Sequence, residues 1–181
     1  MFDYLTYQSN TAVITDTGEI LSYQALYERI QQVASRLQPH ILQFCLCDNS
    51  VESLVFYLAC LEAKAPVVLL DKHKDPELID PLRTIYHPGQ TLCHNALAAC
   101  LTTSGSTGSP KLVRLTAKNL LSNAQSIAEY LHIDEQERAI TMLPMHYSYG
   151  LSIINSHLVS GATLLLTNKT YAQREFWTFL K

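Results

Sequence analysis

Residues 103–111 read Thr-Ser-Gly-Ser-Thr-Gly-Ser-Pro-Lys, a run whose residue types suit a phosphate site. Gly105 and Gly108 permit backbone angles that other residues resist. A loop built this way can turn several N–H groups toward one point and form a nest for an anion. The hydroxyls of Thr103, Ser104, Ser106 and Thr107 add donors without bulk, and Lys111 adds a full positive charge at one edge. Backbone donors, hydroxyls and one lysine are what a polyphosphate requires.

The residue order excludes a Walker A loop, which needs glycine directly before its lysine and Ser or Thr directly after it. Here Pro110 precedes Lys111 and Leu112 follows. Pro110 lacks a backbone donor and keeps Ser109 out of the helical region. Leu112, Val113, Arg114 and Leu115 alternate as a strand does. The expected architecture is strand–loop–strand, with no helix after the loop. Taken alone, the composition also suits a flexible Gly/Ser linker. Against that reading, apolar strand candidates at 97–103 and 112–115 hold the loop at both ends.

The flanking elements follow from periodicity and punctuation. Residues 11–21 hold two short apolar runs around Asp16-Thr17-Gly18-Glu19, which predicts a hairpin. Ser22 caps a helix carrying Leu26, Ile30, Val33 and Leu37, with Pro39 closing it. Residues 41–47 form a strand, and Asp48-Asn49-Ser50 a turn and cap. Val51, Leu54, Val55, Leu58 and Leu61 share a helical face, and residues 66–70 form the next strand. That order is a βαβ unit with parallel pairing. Residues 71–88 are charged and contain Pro76, Pro81 and Pro88, predicting a surface excursion with a short helix between the prolines. After the loop, Thr116 caps a helix bearing Leu120, Ala124, Ile127, Ala128 and Leu131. A strand at 139–143, a helix at 150–159 stopped by Gly161 and a strand at 162–166 make a second βαβ pattern. A final helix spans 171–181. The fold class is α/β, a mostly parallel sheet with flanking helices.

Composition narrows the function. The chain has 181 residues, 48% of them hydrophobic and 16% charged, with a net charge of −3. That is a globular balance, and no basic run points to a nucleic acid. No apolar stretch reaches the roughly 18 residues that a membrane span needs. The amino terminus has neither the basic nor the apolar region of a signal peptide. Five cysteines, without a C-x-x-C, fit a reducing cytoplasm and read as small core residues. Cys93-His94 has no neighbouring group to orient it, so a nucleophile reading is rejected.

On these residues the chain resembles the adenylate-forming superfamily: acyl-CoA synthetases, adenylation domains of peptide synthetases, and luciferases. Residues 103–111, continuing into Leu112-Val113, resemble its phosphate-binding signature. Residues 19–26, Glu-Ile-Leu-Ser-Tyr-Gln-Ala-Leu, resemble its opening hairpin and helix. Residues 143–150, Leu-Pro-Met-His-Tyr-Ser-Tyr-Gly, resemble its second core motif, and residues 158–166 the helix and strand that follow. The resemblance covers nearly the whole chain, and the loop is its most specific part.

The resemblance implies an ATP- and Mg2+-dependent reaction. A carboxylate attacks the α-phosphate of ATP, giving an acyl-adenylate and pyrophosphate. The acyl group then passes to a thiol, that of CoA or of a carrier protein's phosphopantetheine arm. Thr103, Ser104, Gly105, Ser106, Thr107, Gly108 and Lys111 would hold the triphosphate, with Thr107 or Ser106 nearest the magnesium-bound phosphates. His146, Tyr149 and Gly150 match the motif that lines or gates the acyl pocket. A packed histidine and a core tyrosine are the competing readings of His146 and Tyr149.

The family's later motifs are not found in this sequence: the Tyr-Gly-x-Thr-Glu-like segment, the ribose-binding aspartate, the hinge and the C-terminal lysine. Residues 1–181 are therefore expected to be an N-terminal subdomain of an AMP-binding domain, a fragment weakly active or inactive alone. No residue of the chain is assigned a catalytic role. A truncated surface is expected to bring self-association or reliance on a partner. The competing expectation is a non-catalytic nucleotide-binding or protein-interaction module of the same fold.

Overall fold

The computed structural model of the chain describes residues 2–73, 76–102 and 111–181. Two four-stranded sheets carry the architecture. The opening strands β1 (Thr11–Thr15) and β2 (Ile20–Ser22) pair antiparallel, so the hairpin expected from the Asp16–Glu19 turn is present. Gly18 sits in that turn at φ +90°, a conformation that glycine adopts without strain. Helix α1 (Tyr23–Ala34) starts where Ser22 accepts a bond from the Ala25 N–H. It ends at Ala34, five residues before Pro39.

The first predicted βαβ unit is β3 (Gln43–Cys47), α2 (Val51–Glu62) and β4 (Val67–Asp71), with β3 and β4 parallel. Ser50 caps α2 by accepting from the Ser53 N–H. Helix α3 (Pro76–Tyr86) fills the charged excursion, with Pro81 inside it, where one ladder donor is lost. Strand β5 (Leu97–Thr102) lies parallel to β4, and β6 (Leu112–Thr116) returns antiparallel to β5. The order of this sheet is β3-β4-β5-β6.

Helix α4 (Ala117–Leu131) begins at a capping box: Thr116 accepts from the Asn119 N–H, and the Asn119 side chain accepts from the Thr116 N–H. It ends at His132, which takes the left-handed φ of 56°. Strand β7 (Arg138–Ile140), helix α5 (Ser148–Val159) and strand β8 (Thr163–Leu166) form the second βαβ unit, with β7 and β8 parallel. β8 also lies parallel to β1, so the second sheet runs β2-β1-β8-β7. A short α6 (Arg174–Leu180) follows. Both sheets are largely parallel, which satisfies the expected α/β class; the βαβ pattern resolves into two sheets instead of one.

One large core joins the sheets through α1, α2 and α5. Tyr23, Leu26, Ile30, Leu54, Leu58, Ile154, Leu158 and Leu164 are all within it. Two buried polar contacts pin helices to it. The Tyr23 hydroxyl donates to the Ala162 carbonyl at 2.7 Å. The Tyr57 hydroxyl meets the Asn155 amide at 3.1 and 3.2 Å. Cys45, Cys47, Cys60 and Cys100 are buried and all five cysteines are free, in line with their reading as core residues.

Candidate functional site

The parallel strands β3, β4 and β5 end side by side at Cys47, Asp71 and Thr102. In open α/β sheets this carboxyl edge is where ligands sit. The chain leaves β5 at Thr102 and re-enters the sheet at Leu112, and these two residues are register partners across the β5–β6 ladder. The nine residues between them are thus flanked on both sides by paired strands. No helix follows; β6 does, as the Pro110-Lys111-Leu112 order required.

Of the candidate phosphate residues, Thr103, Ser104, Gly105, Ser106, Thr107 and Gly108 lie outside the described residues. Lys111 lies within them, exposed immediately before β6. Beside it opens a cleft of about 880 Å³ between the β5–β6 ends and helices α4 and α5. Its apolar walls are Leu101, Val113, Leu115, Leu120, Leu151 and Tyr147. Its polar groups are Thr102, Asn119, Asn123, Ser148, Ser152 and Asn155. Asn119 and Asn123 are one turn apart on α4, and Ser148, Ser152 and Asn155 share a stripe on α5. Asn123 reaches Ser152 across the cleft, its amide donating at 3.3 Å. The i, i+4 polar spacing on both helices is the sequence signal that marks this wall; the periodicity reading followed only the apolar positions.

The segment preceding α5 sends its side chains in different directions. His146 points inward and is only 6% exposed. Its Nε2 lies 4.0 Å from Asp71 Oδ2, and its Nδ1 is buried without a hydrogen-bond partner among the described residues. The imidazole also approaches Cys47, and its ring centre stands 4.4 Å from that of Tyr147. The Cys47 thiol is pushed far up by its contact with Cys45 and by burial, against a weaker pull downward from His146. It is therefore a protonated core group and no nucleophile. Tyr147 lines the main cleft. Tyr149 is 68% exposed and borders a separate apolar groove of about 480 Å³ between α4 and α5, with Tyr130 and Ile153. Gly150 lines neither; it is buried where α5 crosses the carbonyls of Leu143 and Pro144.

The rim of the carboxyl edge is charged. Lys72 pairs with Asp48 at 2.9 Å, and Ser53 donates to the other Asp48 oxygen. Partial burial, the largest single influence, pushes the Asp48 carboxyl up. Hydrogen bonds from Ser50, Lys72 and Ser53 together outweigh it and hold the carboxyl below its ordinary value. Asn49, next in sequence, donates its amide to the carbonyls of Thr141, Leu143 and Thr167. It thereby ties the end of β3 to the ends of β7 and β8. Among the described residues no group of three or more His, Cys, Asp or Glu side chains converges as a metal cage would.

A family model described as "AMP-binding enzyme" matches residues 71–181. The chain belongs to that family. A 2-succinylbenzoate–CoA ligase of Staphylococcus epidermidis is 25% identical over 88% of this chain and 41% of its own length. A D-alanine–D-alanyl carrier protein ligase of Listeria welshimeri is 29% identical over 79% of this chain and 26% of its own. Among solved structures, apo MatB from Rhodopseudomonas palustris superposes with a TM-score of 0.83 at 24% identity, covering 93% of this chain and 44% of MatB. MenE from Bacillus subtilis, solved with ATP and a magnesium ion, gives 0.83 at 18% identity, covering 99% of this chain and 61% of MenE. These structures share the fold of the N-terminal portion of adenylate-forming enzymes. The chain spans less than half the length of the two ligases.

Proposed function

We propose that this chain takes part in the ATP-dependent activation of a carboxylic acid, as the N-terminal subdomain of an adenylate-forming ligase. The observation that carries the reading is the register pair Thr102 and Leu112, which fastens a Gly/Ser/Thr loop ending in Lys111 at the carboxyl edge of a parallel sheet. The loop's backbone donors and hydroxyls, with Lys111, hold the triphosphate of the substrate ATP. The acid occupies the neighbouring cleft between α4 and α5. Its carboxylate oxygen bonds to the α-phosphorus as the bond to pyrophosphate breaks. The chain supplies position and positive charge and forms no covalent bond to the substrate. Mg2+ fits as an ion carried mainly by phosphate oxygens, the usual way that Mg2+ is held in nucleotide sites. In a longer protein the acyl group then passes to a thiol of CoA or of a phosphopantetheine carrier.

The test is calorimetry of MgATP and of pyrophosphate with the wild-type chain and Lys111→Ala. The substitution is expected to weaken binding by about 1.5–3 kcal/mol, the range for a charged hydrogen bond. Equal affinities would remove Lys111 from the site. A second reading is a non-catalytic interaction module on the same fold. It predicts no binding of either ligand to the wild type.

A further inference from the structure

Among the described site candidates, His146 is buried and incompletely partnered. Its two ring nitrogens see different surroundings. Nε2 faces Asp71 Oδ2 at 4.0 Å, beyond hydrogen-bond length yet within reach of the carboxylate's field. Nδ1 is buried with no partner among the described residues. Asp71 is itself oriented: its Oδ1 accepts the His73 N–H at 2.9 Å, which turns Oδ2 to the imidazole. It also stands at the last position of β4, so the sheet fixes its backbone.

We propose that Asp71 is a positioning residue that holds neutral His146 as its Nε2–H tautomer. A carboxylate facing Nε2 favours an N–H dipole there and disfavours a lone pair, and the proton on one ring nitrogen decides the role of the other. Nδ1 is then a bare, buried acceptor near the carboxyl edge of β3 and β4. The alternative tautomer would bury an Nδ1–H with no acceptor among the described residues and aim a lone pair at a carboxylate. Both costs fall on the same side. In its neutral form His146 thus presents an acceptor of fixed polarity. That this acceptor serves the acid-activating site rests on the function proposed above; the tautomer does not.

Long-range proton–nitrogen correlation spectra of the chain labelled with 15N-histidine decide the matter, without nucleotide, at about pH 8, where an ordinary imidazole is neutral. His146→Gln identifies the resonance among the seven histidines. The wild type is expected to show Nε2 protonated and Nδ1 bare, with a preference of about tenfold or more. Asp71→Asn should reduce that preference several-fold while the histidines other than His73 keep their shifts. A dominant Nδ1–H form in the wild type would overturn the proposal. So would an unchanged ratio in a folded Asp71→Asn. If that variant does not fold, Asp71→Glu keeps the charge and should retain the wild-type tautomer. Failure of MgATP to bind would count against the proposed function and leave this result standing.

Discussion

At Gly150 a single methyl group is excluded by backbone. An added Cβ would run into the carbonyl oxygens of Pro144 and Leu143, neither of which is the movable end of a side chain. Gly150→Ala is expected to cost about 1–3 kcal/mol, the range for overpacking, read as a lower urea midpoint with an unchanged slope. Tyr57→Phe strips the Asn155 amide of its buried partner and should cost about 1–3 kcal/mol in the same assay. His157 gives a pH signature. Burial holds its pKa below the ordinary imidazole value, against weaker upward pulls from the Ile153 carbonyl and Glu137. The unfolded chain therefore takes up a proton at about pH 6.5 that the folded chain resists. Stability contributed this way is complete above that pH and falls as the pH drops toward the folded value. Denaturant midpoints from pH 8 to 5 should decline less for His157→Gln than for the wild type. Equal declines would assign the acid sensitivity elsewhere.

At the scale of elements, what is written locally was legible and what is long-range was not. Ser22, Ser50 and Thr116 each cap the helix that they announce, because a cap bond spans only three residues. Strand β7 was read as 139–143 and runs Arg138–Ile140. Beyond it, Thr141 and Leu143 turn their carbonyls to the Asn49 amide, a partner more than ninety residues back that no local pattern reveals. Helix α5, expected over 150–159, begins at Ser148, so Gly150 lies inside it, against the Leu143 and Pro144 carbonyls. The site shows the same division. The Thr102–Leu112 fastening followed from flanking strands, whereas the opposed directions of His146, Tyr147 and Tyr149 follow from how α5 packs. Asn49→Ala tests the tie between the sheets. It leaves the buried Thr141 carbonyl without its 2.6 Å donor and should cost about 1–3 kcal/mol. Hydrogen exchange should quicken at the ends of β7 and β8 first.

For the molecule as a whole, a ligand that binds only the folded chain stabilises it by mass action. MgATP at a hundred times its dissociation constant is expected to add about 2.7 kcal/mol, seen as a higher midpoint of thermal unfolding. Lys111→Ala should need correspondingly more ligand for the same shift. No helix among the described residues is long and apolar enough to cross a membrane. The pairing of β1 with β8 reaches further than any ligand effect. Thr163 donates its hydroxyl to the Thr11 carbonyl across 152 residues, and β8 is the strand that joins β1 to β7. The sheet holding β3 to β6 can assemble from a continuous stretch, whereas β1 and β2 must wait for β8 to be made. On a ribosome adding about 5–20 residues each second, that wait lasts roughly 7 to 30 seconds. Through it the hairpin's buried face has no sheet to join, and high contact order makes this closing step the slow one. A chaperone that binds nascent apolar strands would find its target in residues 11–22.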